Sequence, residues 1–223
     1  MVDRIVRSRR KTLSIHISPN GEVVVRAPLL MPQKLIKQAV MQNSKWISRQ
    51  RDEYFRRQAE HPPPAFKPGD QYYFLGEKYP LEFTSNSAFS RIIELAGCFK
   101  TMTAEPEIIR KRLIKWYRKE AEFYLNERVQ NLSELHNWEV SGIKINSASR
   151  RWGSCTSRGT LNFPWRLVMC PPEIIDYVIM HELAHLKEMN HSSRFWHEVE
   201  KMCPDFNRHR KYLRENAHKF KGF

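Results

Sequence analysis

No Cys-x-x-Cys pair occurs in this sequence; its four cysteines, Cys98, Cys155, Cys170 and Cys203, are scattered. That argues against a disulfide framework and reads as reduced core or loop thiols of a cytosolic protein. There is no Gly-rich phosphate loop and no cluster of carboxylates suited to magnesium. No apolar run approaches the length that spans a bilayer. Asp3, Arg4, Arg7, Arg9, Arg10 and Lys11 break up the start of the chain, so no export signal is expected there. Internal repeats are absent, and the one biased tract is Pro62-Pro63-Pro64. A soluble, cytoplasmic protein with no membrane partner is the expectation. Acidic charge is scarce as well: 24 acidic residues face 38 basic ones, a formal net charge of +14. Such a balance suits anionic partners such as nucleic acid, nucleotides or phosphates, although a generically basic surface gives the same composition.

What is present suffices for a globular fold. Hydrophobic residues make up 41% and aromatics 12% of 223 residues, enough to bury a core. Thr12 to Ile17 alternates, Pro19-Asn20-Gly21 reads as a turn, and Glu22 to Arg26 reads as a second strand. Pro32 opens a helix expected to run to about Arg57, with Leu35, Ile36, Ala39, Val40, Trp46 and Ile47 on one face. His61-Pro62-Pro63-Pro64 ends it as a stiff linker. Two further strand pairs follow, one turning at Gly76-Glu77 and one around Gly97. The aromatic run Tyr72-Tyr73-Phe74 could stack bases, but half-buried strands use the same residues for packing. Residues 1–103 therefore read as a sheet-rich part with one long helix, and residues 104–223 as an α+β catalytic domain. Within the latter, Pro106 and acidic neighbours start a helix to about Gln130. Strand-like stretches follow at 140–148 and 159–163.

The chemistry is concentrated in His181-Glu182-Leu183-Ala184-His185. Ile174 to Leu186 is apolar at almost every position, as in a helix buried on all sides. Asp176, His181, Glu182 and His185 interrupt it, and burying such groups is costly without compensation. A metal ion supplies that compensation. His181 and His185 stand one helical turn apart, on one face, as two ligands of one ion must. Glu182 lies about 100° round the helix from His181, badly placed as a ligand but well placed to touch a water on the metal. This is the HExxH zinc pattern, in which the glutamate acts as general base. A catalytic zinc keeps three protein ligands and one open position, and His191 is the third candidate. Asn190 tolerates the left-handed conformation that ends helices, so the chain is expected to turn near it and return His191 to the ion. The spacing matches the metzincin three-histidine motif, with Glu188 where that motif has glycine. Glu198 and His197, on the short helix that Ser192 or Ser193 caps, are the remaining nearby donors.

Ahead of this helix, Arg150-Arg151-Trp152-Gly153-Ser154 ends a strand, and its small residues suggest close backbone approach to something. Arg151-Trp152-Gly153-Ser154-Cys155, then Asn162 to Leu167, then Pro171 to His185 and Asn190-His191-Ser192 with Phe195-Trp196, resemble the YgjP-like metal-dependent hydrolases. These are zincin-type proteins distantly related to SprT-like metalloproteases. The resemblance implies a zincin core holding Zn2+ on His181, His185 and His191, with Glu182 as the catalytic carboxylate. It leaves the substrate open, since members are described as metallopeptidases and some as UTP pyrophosphatases. Three functions follow: a zinc peptidase acting on polypeptide, a nucleotide phosphohydrolase using the same zinc site, and a nucleic-acid-associated protease. Arg150, Arg151 and Arg166 are candidates to stabilise an oxyanion or to hold phosphate, with Trp152, Gly153 and Ser154 beside them as candidate substrate contacts. Salt bridges within the domain would employ the same arginines.

Overall fold

The computed structural model describes residues 2–18, 21–60, 62, 64–85, 93–220 and 223. It forms two compact units, Met1–Pro63 and Pro64–Phe223. In the first, β2 (Ser14–Ile17) and β3 (Val23–Pro28) pair antiparallel with Ser14 opposite Arg26, as the alternation requires. The Pro19-Asn20 part of their expected turn lies outside the described residues. β1 (Arg4–Ser8) adds a parallel strand on the other side of β3. Val25 and Ala27 of this central strand form a small core with Ile36. The single long helix expected here is two, α1 (Gln33–Gln42) and α2 (Ser44–Glu60). Asn43 parts them: its Nδ2 donates to the Ala39 carbonyl at 2.7 Å, competing with the helical backbone for that acceptor.

The units part at the proline run and not at residue 103. The reason is packing. Tyr72, Leu81 and Phe99, from the strands before residue 103, lie in one buried cluster with Ile109, Leu113 and Tyr117 of the helix after it. The second unit begins with a hairpin of β4 (Gln71–Phe74) and β5 (Glu77–Phe83), whose two turn residues, Leu75 and Gly76, have φ of 48° and 87°. Two left-handed residues give the twist that a two-residue hairpin needs. β6 (Glu94–Leu95) and β7 (Phe99–Thr101) complete a sheet of order β4-β5-β7-β6. The aromatics of β4 serve packing: Tyr72 is buried, and Phe74 meets Trp116 edge-on at 5.0 Å.

α3 (Pro106–Leu135) runs past the expected Gln130 and buries Ile109, Leu113, Tyr117, Ala121, Leu125, Val129 and Leu132, a stripe at helical spacing. Tyr117 stacks on Trp165 at 5.5 Å, and its hydroxyl donates to the Tyr73 carbonyl at 2.6 Å. A second sheet has the order β8-β10-β9, with β8 (Gly142–Asn146) parallel and β9 (Ser154–Cys155) antiparallel to the central β10 (Thr160–Pro164). A 3-10 turn, Trp165–Met169, leads into α4 (Pro172–Ala184), followed by α5 (Ser193–Met202) and α6 (Phe206–Asn216). α4 is buried nearly all round, and Pro172 sits in its first turn, where a missing N–H costs nothing. Its Asp176 is compensated by Arg128 of α3, which donates Nε to Oδ1 at 2.5 Å and Nη2 to Oδ2 at 2.6 Å. This is an α+β fold with a zincin-like core, an HExxH helix beside a small sheet. Among the described residues no helix is long and apolar enough to cross a membrane.

Candidate metal centre

α4 carries His181 and Glu182 and ends at Ala184, so His185 is its C-cap. The Nδ1 of His185 lies 3.0 Å from the Glu188 carbonyl oxygen and donates to it, which leaves Nε2 with a free lone pair. The chain thus leaves the helix before His185 and not near Asn190. Asn190 is absent from the left-handed residues; its Oδ1 instead accepts from the Ser192 N–H at 3.0 Å. That local turn, together with Ser192 accepting from Phe195 N–H at 3.4 Å as N-cap of α5, directs His191 back. Its Nε2 comes to rest 3.1 Å from Nε2 of His181. Phe195, fully buried, supports all three rings, with centroids at 4.9 Å from His181, 4.4 Å from His185 and 4.7 Å from His191.

Each of the three histidines offers a nitrogen within 4.8 Å of the others. Burial pulls the His181 pKa down to about 3, helped by His185, His191 and Arg210 nearby; burial, His185 and Arg210 lower His191 in the same direction. Below-normal values mean neutral imidazoles with available lone pairs. Two nitrogens bound at about 2.0–2.1 Å to one tetrahedral ion stand roughly 3.3 Å apart, close to the His181–His191 separation. The donor set and its spacing therefore fit a divalent ion such as zinc. The Nδ1 of His181 is buried without a hydrogen-bond partner.

Glu182 is outside this group. Its carboxyl is almost fully buried, and burial pushes its pKa up to about 8, opposed by the Arg151 charge and the Cys155 backbone N–H. Its Oε2 has no hydrogen-bond partner. The space it occupies exists because residue 153 is glycine. A Cβ there would stand 2.4 Å from Oε1, 2.6 Å from Cγ and 2.7 Å from Cδ of Glu182. The close approach suggested by the small residues after β8 is an approach to this carboxylate.

The other expected site residues disperse. Arg151 acts on Glu182 through its charge, while Arg150 is exposed. Trp152 packs on Phe220 at 6.1 Å, and Ser154 belongs to β9, where its carbonyl accepts from Asn162 Nδ2 at 3.2 Å. Arg166 lies over the Trp165 ring at 4.2 Å and donates Nη2 to the Phe223 oxygen at 3.2 Å. Burial and the charges of Arg110 and Arg118 lower its pKa, so its neighbours are arginines of α3. Glu198 is engaged by Lys187 at 3.1 Å and Lys201 at 2.8 Å. Sequence reasoning passed over Cys155, whose N–H faces Glu182, and Arg210, whose charge reaches His181 and His191. Only the run of small residues around Gly153 pointed toward the first, and nothing local pointed to the second.

Comparison with known proteins adds the following. The family model of the YgjP-like metallopeptidase domain matches residues 11–216. No curated protein matches the chain. Among solved structures, the metallopeptidase zymogen abylysin of Pyrococcus abyssi is similar over 40% of this chain and 92% of its own, with 23% identity and a TM-score of 0.37. A likeness that loose carries no functional argument.

Proposed function

The chain belongs to the YgjP-like metallopeptidase family, and from that premise we propose that it is a zinc-dependent peptidase with Glu182 as general base. The observation that carries the reading is the pairing of a histidine group with a buried carboxyl, His181 and Glu182 being successive residues of α4. Three imidazoles have nitrogens within 4.8 Å of one another, and Glu182 is a desolvated carboxyl whose pKa is raised to about 8. A general base works best when its pKa is close to the operating pH. His181, His185 and His191 would hold the ion, which when bound supplies Lewis acidity, acidifying water and polarising a carbonyl.

The remaining work falls to the chain's own groups. Glu182 takes a proton from the attacking water onto its carboxylate and returns it to the leaving amine nitrogen. Gly153 gives the carboxylate its place, and the Cys155 N–H and the Arg151 charge favour its ionised form. Of the two stretches the sequence suggested as the substrate edge, 140–148 holds β8, an outer strand of the β8-β10-β9 sheet. β10, which holds most of 159–163, is paired on both sides; β9 is an outer strand and the one next to Glu182. Extended substrate would add its backbone along β9.

The phosphohydrolase alternative requires guanidinium groups converging on the metal centre. Arg166 lies over Trp165 and donates to the Phe223 oxygen, while Arg151 and Arg210 stay near the site, so it is the family assignment and not the arginines that favours the peptidase. The test is incubation of zinc-loaded protein with an unfolded protein and, separately, with UTP, using Glu182→Gln as control. Cleavage of the polypeptide that disappears in Glu182→Gln is expected. UTP hydrolysis lost in the same variant, with the polypeptide intact, would overturn the assignment.

A further inference from the structure

α6 lies beside the histidine group, yet the reaction described above uses nothing from it. Its Arg210 is held and not merely exposed. The guanidinium sits 4.8 Å above the ring of Trp196, whose centroid is 5.7 Å from His181 and 5.8 Å from His191. Trp196 is itself wedged, stacked on Phe206 at 5.3 Å and edge-on to Phe195 at 5.1 Å. A guanidinium seated over a ring keeps N–H groups available to donate to a partner beyond the ring.

Among the described residues no carboxylate pairs with Arg210, and it has no hydrogen bond. Asp176 of α4 and Glu198 of α5 are engaged elsewhere, the first with Arg128 and the second with two lysines. The charge nonetheless stands close to the histidine group, because the indole beneath it lies against the rings of both His181 and His191. A fixed positive charge beside a cation site weakens cation binding. Such an arrangement is unfavourable until something negative enters, and a metal ion with a guanidinium beside it is a strong attractor for a carboxylate.

We propose that Arg210 is a specificity-determining residue, which receives a carboxylate of the peptide substrate over Trp196, beside His181 and His191. This rests on the peptidase reading and names its substrate class: peptides bearing an acidic side chain or a free terminal carboxyl close to the scissile bond.

The probes are N-acetylated peptide amides identical except for Glu, Gln or Lys at each position flanking the cleavage site, together with the Gln peptide carrying a free C-terminal carboxyl. Rates are compared for zinc-loaded wild type, Arg210→Gln and Arg210→Lys. Binding is read separately, from tryptophan fluorescence of the same substitutions in a Glu182→Gln background, and zinc affinity by competition with a chelator. Wild type should prefer a carboxylate peptide by about ten-fold or more in kcat/KM and in Kd, as for a charge-assisted bidentate pair. Arg210→Gln should abolish the preference and bind zinc more tightly, and Arg210→Lys should restore part of the preference. Whether the Glu amide or the free-carboxyl Gln peptide is favoured separates side chain from terminus. Unchanged discrimination in Arg210→Gln overturns the proposal, as does cleavage without any preference, which leaves the peptidase reading intact. Preferential binding that depends on Arg210, without cleavage in any zinc-loaded form, refutes the peptidase and keeps the carboxylate site. Neither binding preference nor cleavage refutes both.

Discussion

Gly153→Ala isolates the position of the proposed general base, Glu182, from everything else in the site. The added Cβ would lie 2.4 Å from Oε1 and 2.7 Å from Cδ of Glu182. Ordinary contacts lie at about 3.5 Å, so the carboxylate must retreat by roughly 1 Å or rotate away. Displacement on that scale costs about a hundredfold in rate, or roughly 2.7 kcal/mol of transition-state stabilisation. The backbone has no reason to object: Gly153 is not among the left-handed glycines, so alanine fits its conformation. The change in global stability should therefore stay within about 1 kcal/mol. The three histidines are untouched, and zinc content should remain near one per chain. The assay is kcat and KM on a peptide substrate, with elemental analysis and thermal melting on the same preparation. A fall in kcat with KM, zinc and melting temperature nearly unchanged is expected. Wild-type kcat in Gly153→Ala, alongside an inactive Glu182→Gln, would refute the idea that this glycine places the base. Loss of zinc would show that the loop supports the metal ligands instead.

Three further outcomes are expected. His191→Ala should lose most of its zinc by elemental analysis while Glu182→Gln retains it; equal retention in both would remove His191 from the ligand set. Limited proteolysis should cut near the proline run and leave a stable fragment beginning near residue 64, because the strands before residue 103 share a core with α3; a stable fragment beginning near 104 would contradict this. In metal-free protein, a Glu182 pKa raised from 4.5 to about 8 means that the folded state keeps a proton the unfolded chain releases. Its contribution to stability is complete below pH 4.5 and is lost as pH rises through 8. Thermal melts of metal-free Glu182→Gln and wild type should therefore diverge in favour of the variant between pH 5 and 9, by on the order of a few kcal/mol; parallel curves would mean the carboxyl is solvated.

Local periodicity carried most of what the sequence determined by itself. The one-turn spacing of His181 and His185, the offset of Glu182 and the apolar surroundings of α4 follow from helix geometry, which depends only on residues a few positions apart. Hairpins at Gly76 and Gly97 were legible for the same reason, since a turn is a four-residue event. His191 could be nominated because ten residues is a short enough tether to bring it back, although the helix ends at Ala184 and the turn at Asn190 is not left-handed. The break at Asn43 was a side-chain competition for one carbonyl, which apolar spacing does not register. What only the tertiary structure decided were contacts between segments far apart in the chain. The unit boundary moved to Pro63 because Tyr72, Leu81 and Phe99 bury against α3, a choice of partner that strand patterns leave open. Arg166, expected near the chemistry, was drawn to Trp165 and Phe223, while Arg210, one charge in a basic tail, was carried by α6 to the ring beside the histidines. A side chain's type and its spacing from near neighbours are properties of sequence. Which charge faces which site depends on how helices pack, and that is settled by burial of apolar surface across the whole unit.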